Sequence, residues 1–363
     1  MYSKLKKYGL NSRLEKEILQ HENLFPARVS EQHRDLYKVI SEDSEIREIN
    51  ATVSGKLAYN ADSQMNFPMV GDWVMIDKTD GTSGNAVIHC ILPRKSVLAR
   101  QTAGKTKEQQ VIASNIDTVF ICMSLNSDFS LRRIERYLTI VWDSMATPVI
   151  VLTKADLCND LDEKLNEIAD VSAGVDVVAC SSENGYGYDE VKSYIREYST
   201  IAFVGSSGVG KSTLINRLMG KEVLATSGIR EDDDKGKHTT THRQLLLLPD
   251  GGCVIDTPGM RELQIYTGNV SKAFEDIEEL IACCKYNDCT HKNEPACAIR
   301  KAIADGTLSE KRFESYQKLQ REILYDGLNS RKLENEKINK MFGSKSNMKK
   351  TFKEIKSRKK SKG

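Results

Sequence analysis

The run Gly205-Ser-Ser-Gly-Val-Gly-Lys-Ser212 constrains this chain more than any other feature. It matches the phosphate-binding loop pattern and lies where such a loop works, between the apolar strand Ile201–Val204 and a helix predicted over Lys211–Met219. Gly205, Gly208 and Gly210 let the backbone bend until its N–H groups converge on phosphate oxygens, and the helix N-terminus adds a favourable dipole. Ser206, Ser207 and Val209 complete the loop. Lys211 brings a mobile positive charge, Ser212 a hydroxyl for Mg²⁺, and Thr213 reaches the α-phosphate.

The surrounding pattern supplies the sheet that this unit needs. From about Val111 to Ile265, apolar strands precede amphipathic helices: Thr118–Met123 before Leu131–Val141, Pro148–Leu152 before Leu161–Ala169, and Val175–Ala179 before Tyr188–Ile195. This predicts an α/β domain with a mostly parallel sheet covered on both faces. Between Pro26 and about Arg100 the texture is different. Short segments (Ala51–Val53, Leu57–Tyr59, Asp72–Ile76, Ala86–Ile91) are broken by glycines, which predicts a small antiparallel barrel or sandwich. Leu10, Leu14, Ile18 and Leu19 give the first residues a helical spacing, and helices are also predicted near Phe313–Leu324 and Leu333–Phe342. The expected division is 1–25 helical lead-in, 26–105 barrel, 106–265 nucleotide-binding domain, 266–344 helical domain with a Cys/His cluster, and 345–363 basic tail.

A chain of 363 residues has room for two or three cores, and 39% hydrophobic with 29% charged residues is ordinary globular usage. No apolar run reaches membrane-spanning length, and Met1–Leu10 lacks the apolar core of a signal peptide, so no membrane partner is expected. The nine cysteines are odd in number and mostly single, which fits a reducing, cytoplasmic setting. The net charge of +2 hides a basic end: Lys345–Gly363 carries nine Lys/Arg and one Glu, read either as a solvated tail or as a nucleic-acid contact.

Phosphate loops serve adenine and guanine nucleotides alike, so the base is read elsewhere. Thr153-Lys-Ala-Asp156 comes directly after an apolar strand. The Asp156 carboxylate can accept from both N1–H and the N2 amine of guanine, a donor pair adenine lacks, while the Lys154 stem lies along the base and Ala155 sits between them. Cys180-Ser-Ser-Glu-Asn-Gly185 succeeds another strand and resembles a second base-contacting loop, which nominates Ser181 and Ser182. After the phosphate loop, Gly236-Lys-His-Thr-Thr-Thr241 and Asp256-Thr-Pro-Gly259 have the character of two switches. Thr240 is taken as the switch ligand to Mg²⁺, with Thr239 and Thr241 as close alternatives; Asp256 holds the metal through water, and the Gly259 N–H senses the γ-phosphate. Met260 stands where many GTPases place the glutamine that orients water. Either His238 takes that catalytic task, or a partner completes the site.

The base motif precedes the phosphate loop, which precedes both switches, whereas in the usual order the phosphate loop comes first. The domain therefore reads as circularly permuted, with its second switch leading directly into the C-terminal region. That region contains Cys284-Lys-Tyr-Asn-Asp-Cys289-Thr-His291-Lys-Asn-Glu-Pro-Ala-Cys297, in which three thiols and one imidazole make a closed tetrahedral shell for one structural Zn²⁺. Cys283 competes with Cys284 for the first place.

Together these motifs resemble the ribosome small-subunit-dependent GTPase A family of bacterial assembly factors, from about Ala51 to Cys297. The resemblance implies an OB-type barrel, a circularly permuted P-loop GTPase domain and a C-terminal helical zinc-binding domain with ligands Cys284, Cys289, His291 and Cys297. It implies hydrolysis of GTP to GDP late in small ribosomal subunit maturation, binding to rRNA, and stimulation by the subunit. A monomer is expected. Thr153 departs from the family's usual asparagine at the base site. Two other readings remain: a nucleotide-gated RNA-binding module with negligible turnover, and a P-loop phosphotransferase, for which no separate acceptor site is visible.

Overall fold

The chain's first half is built from short strands that bury one face. The computed structural model describes residues 2–33, 36–42, 48–79, 84–101, 109–169, 171–224, 243–256 and 273–326. Strands β1 (Phe25–Gln32), β2 (Tyr37–Ser41), β3 (Ile49–Val53), β4 (Trp73–Ile76) and β5 (Ala86–Ile91) run in the order β1-β2-β3-β5-β4, and β4 pairs back to β1. The ring is closed, which leaves no free edges. Only β3 and β5 are parallel within it, the arrangement of an OB-type barrel. Val29, Val39, Ile49, Val74, Ile76 and Ile88 fill its interior.

One expectation fails here. Leu57–Tyr59 is not a strand but the end of helix α3 (Gly55–Tyr59), because the Ser54 hydroxyl accepts from the Leu57 N–H at 3.2 Å and caps the turn. The N-terminal segment forms two short helices, α1 (Ser3–Lys7) and α2 (Ser12–Ile18), whose Leu5, Leu14 and Ile18 pack with Ile40, Trp73 and Met75. Leu19, which shares their sequence spacing, ends up 82% exposed.

The α/β domain begins after a hairpin of β6 (Val97–Gln101) and β7 (Gln109–Ser114). Its strands are β8 (Thr118–Ser124), β9 (Thr147–Thr153), β10 (Asp176–Ala179), β11 (Thr200–Val204), β12 (Gln244–Leu247) and β13 (Cys253–Asp256). They run in the order β10-β9-β8-β11-β13-β12, all neighbours parallel except β12. One face is covered by α4 (Leu131–Asp143) and α5 (Leu161–Ala169), the other by α6 (Tyr188–Ser193) and α7 (Lys211–Met219). The observed α5 and α7 have the bounds predicted from sequence.

Helices α8 (Glu275–Ala282), α9 (Ala298–Ala304) and α10 (Glu310–Asp326) form the C-terminal unit. It has no separate core: Phe274, Ile277, Ile299, Phe313 and Tyr316 share one apolar cluster with Ile134, Tyr137 and Leu138 of α4. The predicted helix over Leu333–Phe342 and the basic tail lie outside the described residues.

Barrel and α/β sheet are joined where Glu31 of β1 pairs with Gln244 of β12, the Gln244 amide donating to the Glu31 carboxylate at 2.8 Å. A second joint is Arg28, only 1% exposed. Its guanidinium donates to the Tyr8, Gly71 and Asn115 carbonyls and to the Thr200 hydroxyl, and lies over the Trp73 ring at 5.3 Å. Helix lead-in, barrel and β11 thus meet on one side chain. Arg28→Met leaves several buried acceptors unpaired and is expected to lower stability by about 3 kcal/mol or more. The denaturant midpoint reads this, and a shift under ~0.5 kcal/mol would show that the joint carries no weight.

Candidate functional site

The phosphate loop leaves the end of β11 and turns into α7, with Gly210 at the helix N-cap in the left-handed region. Gly205 has φ +145°, and a Cβ there would stand 2.4 Å from the Cys122 carbonyl oxygen of β8. Only glycine fits. Gly208 and Gly210 also have positive φ, backbone conformations that glycine adopts without strain and that bend the loop into the start of α7. The Lys211 ammonium folds over it, donating to the Gly205 and Ser206 carbonyls at 2.7 and 2.6 Å. Ser212 and Thr213 occupy the first turn of α7, beside Lys211.

The base motif arrives from β9. Thr153 is buried, and its hydroxyl donates to the Val209 carbonyl of the phosphate loop at 2.5 Å and to the Met123 carbonyl at 3.4 Å. The threonine therefore ties the strand end to the loop. Lys154 adopts a left-handed conformation, after which Ala155–Leu157 makes one 3-10 turn carrying Asp156. The Ala155 N–H donates to the Cys180 carbonyl at 3.1 Å, so this loop lies against the one holding Ser181 and Ser182. Ser181 is buried, its hydroxyl accepting from the Glu183 and Asn184 N–H groups.

Parallel pairing of β13 with β11 aligns Ile255 with Ala202, which brings Asp256 to the same end of the sheet as the phosphate loop. The residues His238, Thr240 and Gly259, with Thr239, Thr241 and Met260, lie outside the described residues.

Three contacts had no sequence motif to reveal them. Arg133 of α4 donates to the Ser206 hydroxyl at 2.6 Å. Arg217 of α7 donates to the Ser182 carbonyl and stacks on the Tyr188 ring at 4.9 Å, holding the second base loop to the phosphate-loop helix. On the far side of α4, Glu135 is 2% exposed and bonded by Arg312 at 3.0 Å. Burial pushes its carboxyl up to about 7, against the pull of that guanidinium.

In the Cys/His cluster, the ligand atoms of Cys284, Cys289, His291 and Cys297 all lie within 4.8 Å of one another. His291 Nδ1 stands 3.6 Å from Cys284 Sγ and 3.5 Å from Cys297 Sγ. A tetrahedral ion with Zn–S near 2.3 Å and Zn–N near 2.0 Å requires an S···N edge of about 3.5 Å, so the donor set fits such an ion. Cys283 is exposed and outside the group. The loop is braced by Glu294, whose carboxylate accepts from the Thr290 hydroxyl and from the Thr290, Lys292 and Asn293 N–H groups; these bonds hold it down at about 2.

A phosphate loop at the middle of the sheet, with base loops encoded before it and the Asp256 strand after it, defines the class: a circularly permuted P-loop GTPase. The signature described as RsgA GTPase matches residues 91–266. A Lactiplantibacillus plantarum protein named small ribosomal subunit biogenesis GTPase RsgA 2 is 55% identical over 343 residues, 94% of this chain and 96% of that protein. A Listeria innocua protein named small ribosomal subunit biogenesis GTPase RsgA 1 is 44% identical over 323 residues, 88% of this chain and 90% of its own. The chain belongs to the RsgA GTPase family, and GTP hydrolysis is the activity that membership carries. The crystal structure of YjeQ from Thermotoga maritima superposes with a TM-score of 0.60 at 27% identity, covering 83% of this chain and 99% of that one. YloQ, titled a circularly permuted GTPase, has the same fold at a TM-score of 0.58 and 23% identity, over 84% and 96% of the two chains. Among the described residues no helix is long and apolar enough to cross a membrane.

Proposed function

We propose that this GTPase acts in late maturation of the small ribosomal subunit, binding its rRNA and using GTP hydrolysis to time its own release. The observation that carries the reading is the 55% identity, along 94% of the chain, to a protein named for small-subunit biogenesis. In this reading Gly205–Thr213 hold the phosphates, with Lys211 on the β- and γ-phosphate oxygens. Asp156 reads guanine, Lys154 and Ala155 flank the base, and Ser181 and Ser182 close its other edge. Thr153 substitutes for an asparagine amide by bracing the loop with its hydroxyl.

Mg²⁺ accompanies GTP, held by Ser212 and Thr240 with Asp256 acting through water; Gly259 senses the γ-phosphate. Cys284, Cys289, His291 and Cys297 hold one structural Zn²⁺, a role supported by the tetrahedral spacing. The sequence-level division at about residues 25, 105, 265 and 344 is kept as the domain plan, and the protein works as a cytoplasmic monomer. The barrel and basic tail offer surfaces for RNA phosphates.

With Met260 in place of the usual glutamine, either His238 orients the water, or hydrolysis is slow alone and the subunit that stimulates it completes the site. Single-turnover GTP hydrolysis with and without purified small subunits tests this. Stimulation of about tenfold or more supports the reading; no stimulation, together with no GTP-dependent co-sedimentation, defeats it. An unchanged rate for His238→Ala in the same assay removes that residue from the mechanism.

A further inference from the structure

We propose that helix α4 couples the nucleotide site to the Cys/His domain, gripping the phosphate loop through Arg133 on one flank and the C-terminal helix α10 through Glu135 on the other. The geometry comes from helical periodicity. Residues 133 and 137 are four apart and share a flank, whereas residue 135 is turned about 200° from residue 133. Between the flanks, Ile134, Leu138 and Val141 bury the helix in the core, so it moves as one body.

Each end of the relay is a charged or hydrogen-bonded contact. On the nucleotide side, Arg133 donates to Ser206 at 2.6 Å, and the buried Tyr137 lies one turn along the same flank. Arg133 is itself oriented by Asp128 at 2.8 Å. On the other side, Arg312 donates to Glu135 at 3.0 Å and forks onto Asp276 of α8 at 2.9 and 2.7 Å, its plane 4.9 Å from the Phe274 ring. Arg312 and Glu135 are both buried and joined by one bond, and the fork onto Asp276 fixes the guanidinium plane that makes it. The next residue, Phe313, packs edge-on against the His291 ring at 5.8 Å. A continuous set of contacts therefore leads from the Cys/His cluster through α10 and α4 to Ser206. Displacing the C-terminal helices shifts α4 and loosens the phosphate loop, and by linkage nucleotide binding changes how firmly those helices are held.

This coupling rests on the reading of the phosphate loop as the guanine-nucleotide site. GDP is titrated into the full chain and into Ser206→Ala, Arg312→Lys and the double variant. Arg312→Lys keeps the charge and loses the fork, and is expected to weaken GDP binding about fivefold in the parent chain. It should have little effect once Ser206→Ala has removed the acceptor on the loop. A role for Arg312 in stability alone would lower the melting temperature equally in both backgrounds without moving GDP affinity. Equal weakening in both backgrounds, or none in either, overturns the coupling. Should Arg312→Lys not fold, Glu135→Gln takes its place in the same cycle, since it keeps shape and an acceptor while removing the charge. Failure of the parent chain to bind GDP would instead defeat the nucleotide reading itself.

Discussion

Replacing Lys211 with alanine is expected to lower GTP turnover by about 10²–10³-fold while leaving the chain folded. The ammonium folds over the loop against the Gly205 and Ser206 carbonyls, where the β- and γ-phosphates of a bound nucleotide lie in this class of loop. Negative charge develops at those oxygens during transfer, so the loss falls on the transition state more than on ground-state binding. The fold should survive because residue 211 opens α7, alanine is the best helix former, and the loop's curvature comes from its glycines. Gly205→Ala is the opposite case. Its Cβ would meet the Cys122 carbonyl at 2.4 Å, so β8 and β11 must separate at the site itself, and both binding and stability are lost. Steady-state kcat/KM with circular dichroism separates the two variants. A Lys211→Ala enzyme that retains parental kcat/KM would remove the lysine from the chemistry.

How much of this was legible in the sequence depends on the range of the interaction that decides each feature. Buried parallel strands advertise themselves as apolar runs, so β8, β9 and β11 lie where Thr118–Met123, Pro148–Leu152 and Ile201–Val204 are read. The Cys/His cluster is equally local, all four ligands falling within fourteen residues. The barrel is less legible. Strand β1 opens on Phe25-Pro26, and its alternation is confined to Ala27–Ser30, where the polar Arg28 and Ser30 are buried as deeply as Ala27 and Val29. Leu57–Tyr59 has strand-like composition, but the Ser54 cap decides its conformation. Least legible are the long-range polar contacts. Arg312 meets Glu135 across 177 residues and Arg28 meets Thr200 across 172; neither carries a local signature, because an isolated arginine in a helix or strand reads as a solvated side chain. The Thr153 substitution is a milder case: the sequence registers the loss of an amide, while the hydroxyl's bond to the Val209 carbonyl emerges only from the fold.

Loss of an ion held by the Cys/His cluster is expected to have the second large effect, falling first on the C-terminal helices. Cys284 lies just past the end of α8, Cys297 is the residue before α9, and His291 packs on Phe313 of α10, so an ion held by the four side chains would tie together three helices that otherwise meet only through the shared apolar cluster. A structural zinc contributes about 10–16 kcal/mol of apparent binding free energy at pH 7, as much as the whole stability of an ordinary domain. Cys289→Ser is the cleanest probe, because Cys289 is only partly buried and its loss leaves the apolar core intact, whereas Cys297 belongs to that core. Zinc content should fall from one per chain to well below one, and amide protection in α8–α10 should collapse while that of β8–β11 persists. Cys283→Ser is the control. Its side chain is exposed and outside the cluster, so zinc content and protection should match the parent chain. Zinc lost by Cys283→Ser would move the first ligand place from Cys284 to Cys283, and zinc retained by Cys289→Ser would remove Cys289 from the shell. The same variants bear on the α4 relay, since a C-terminal unit that has lost its metal can no longer hold Arg312 against Glu135, and GDP affinity should drop in Cys289→Ser but not in Cys283→Ser.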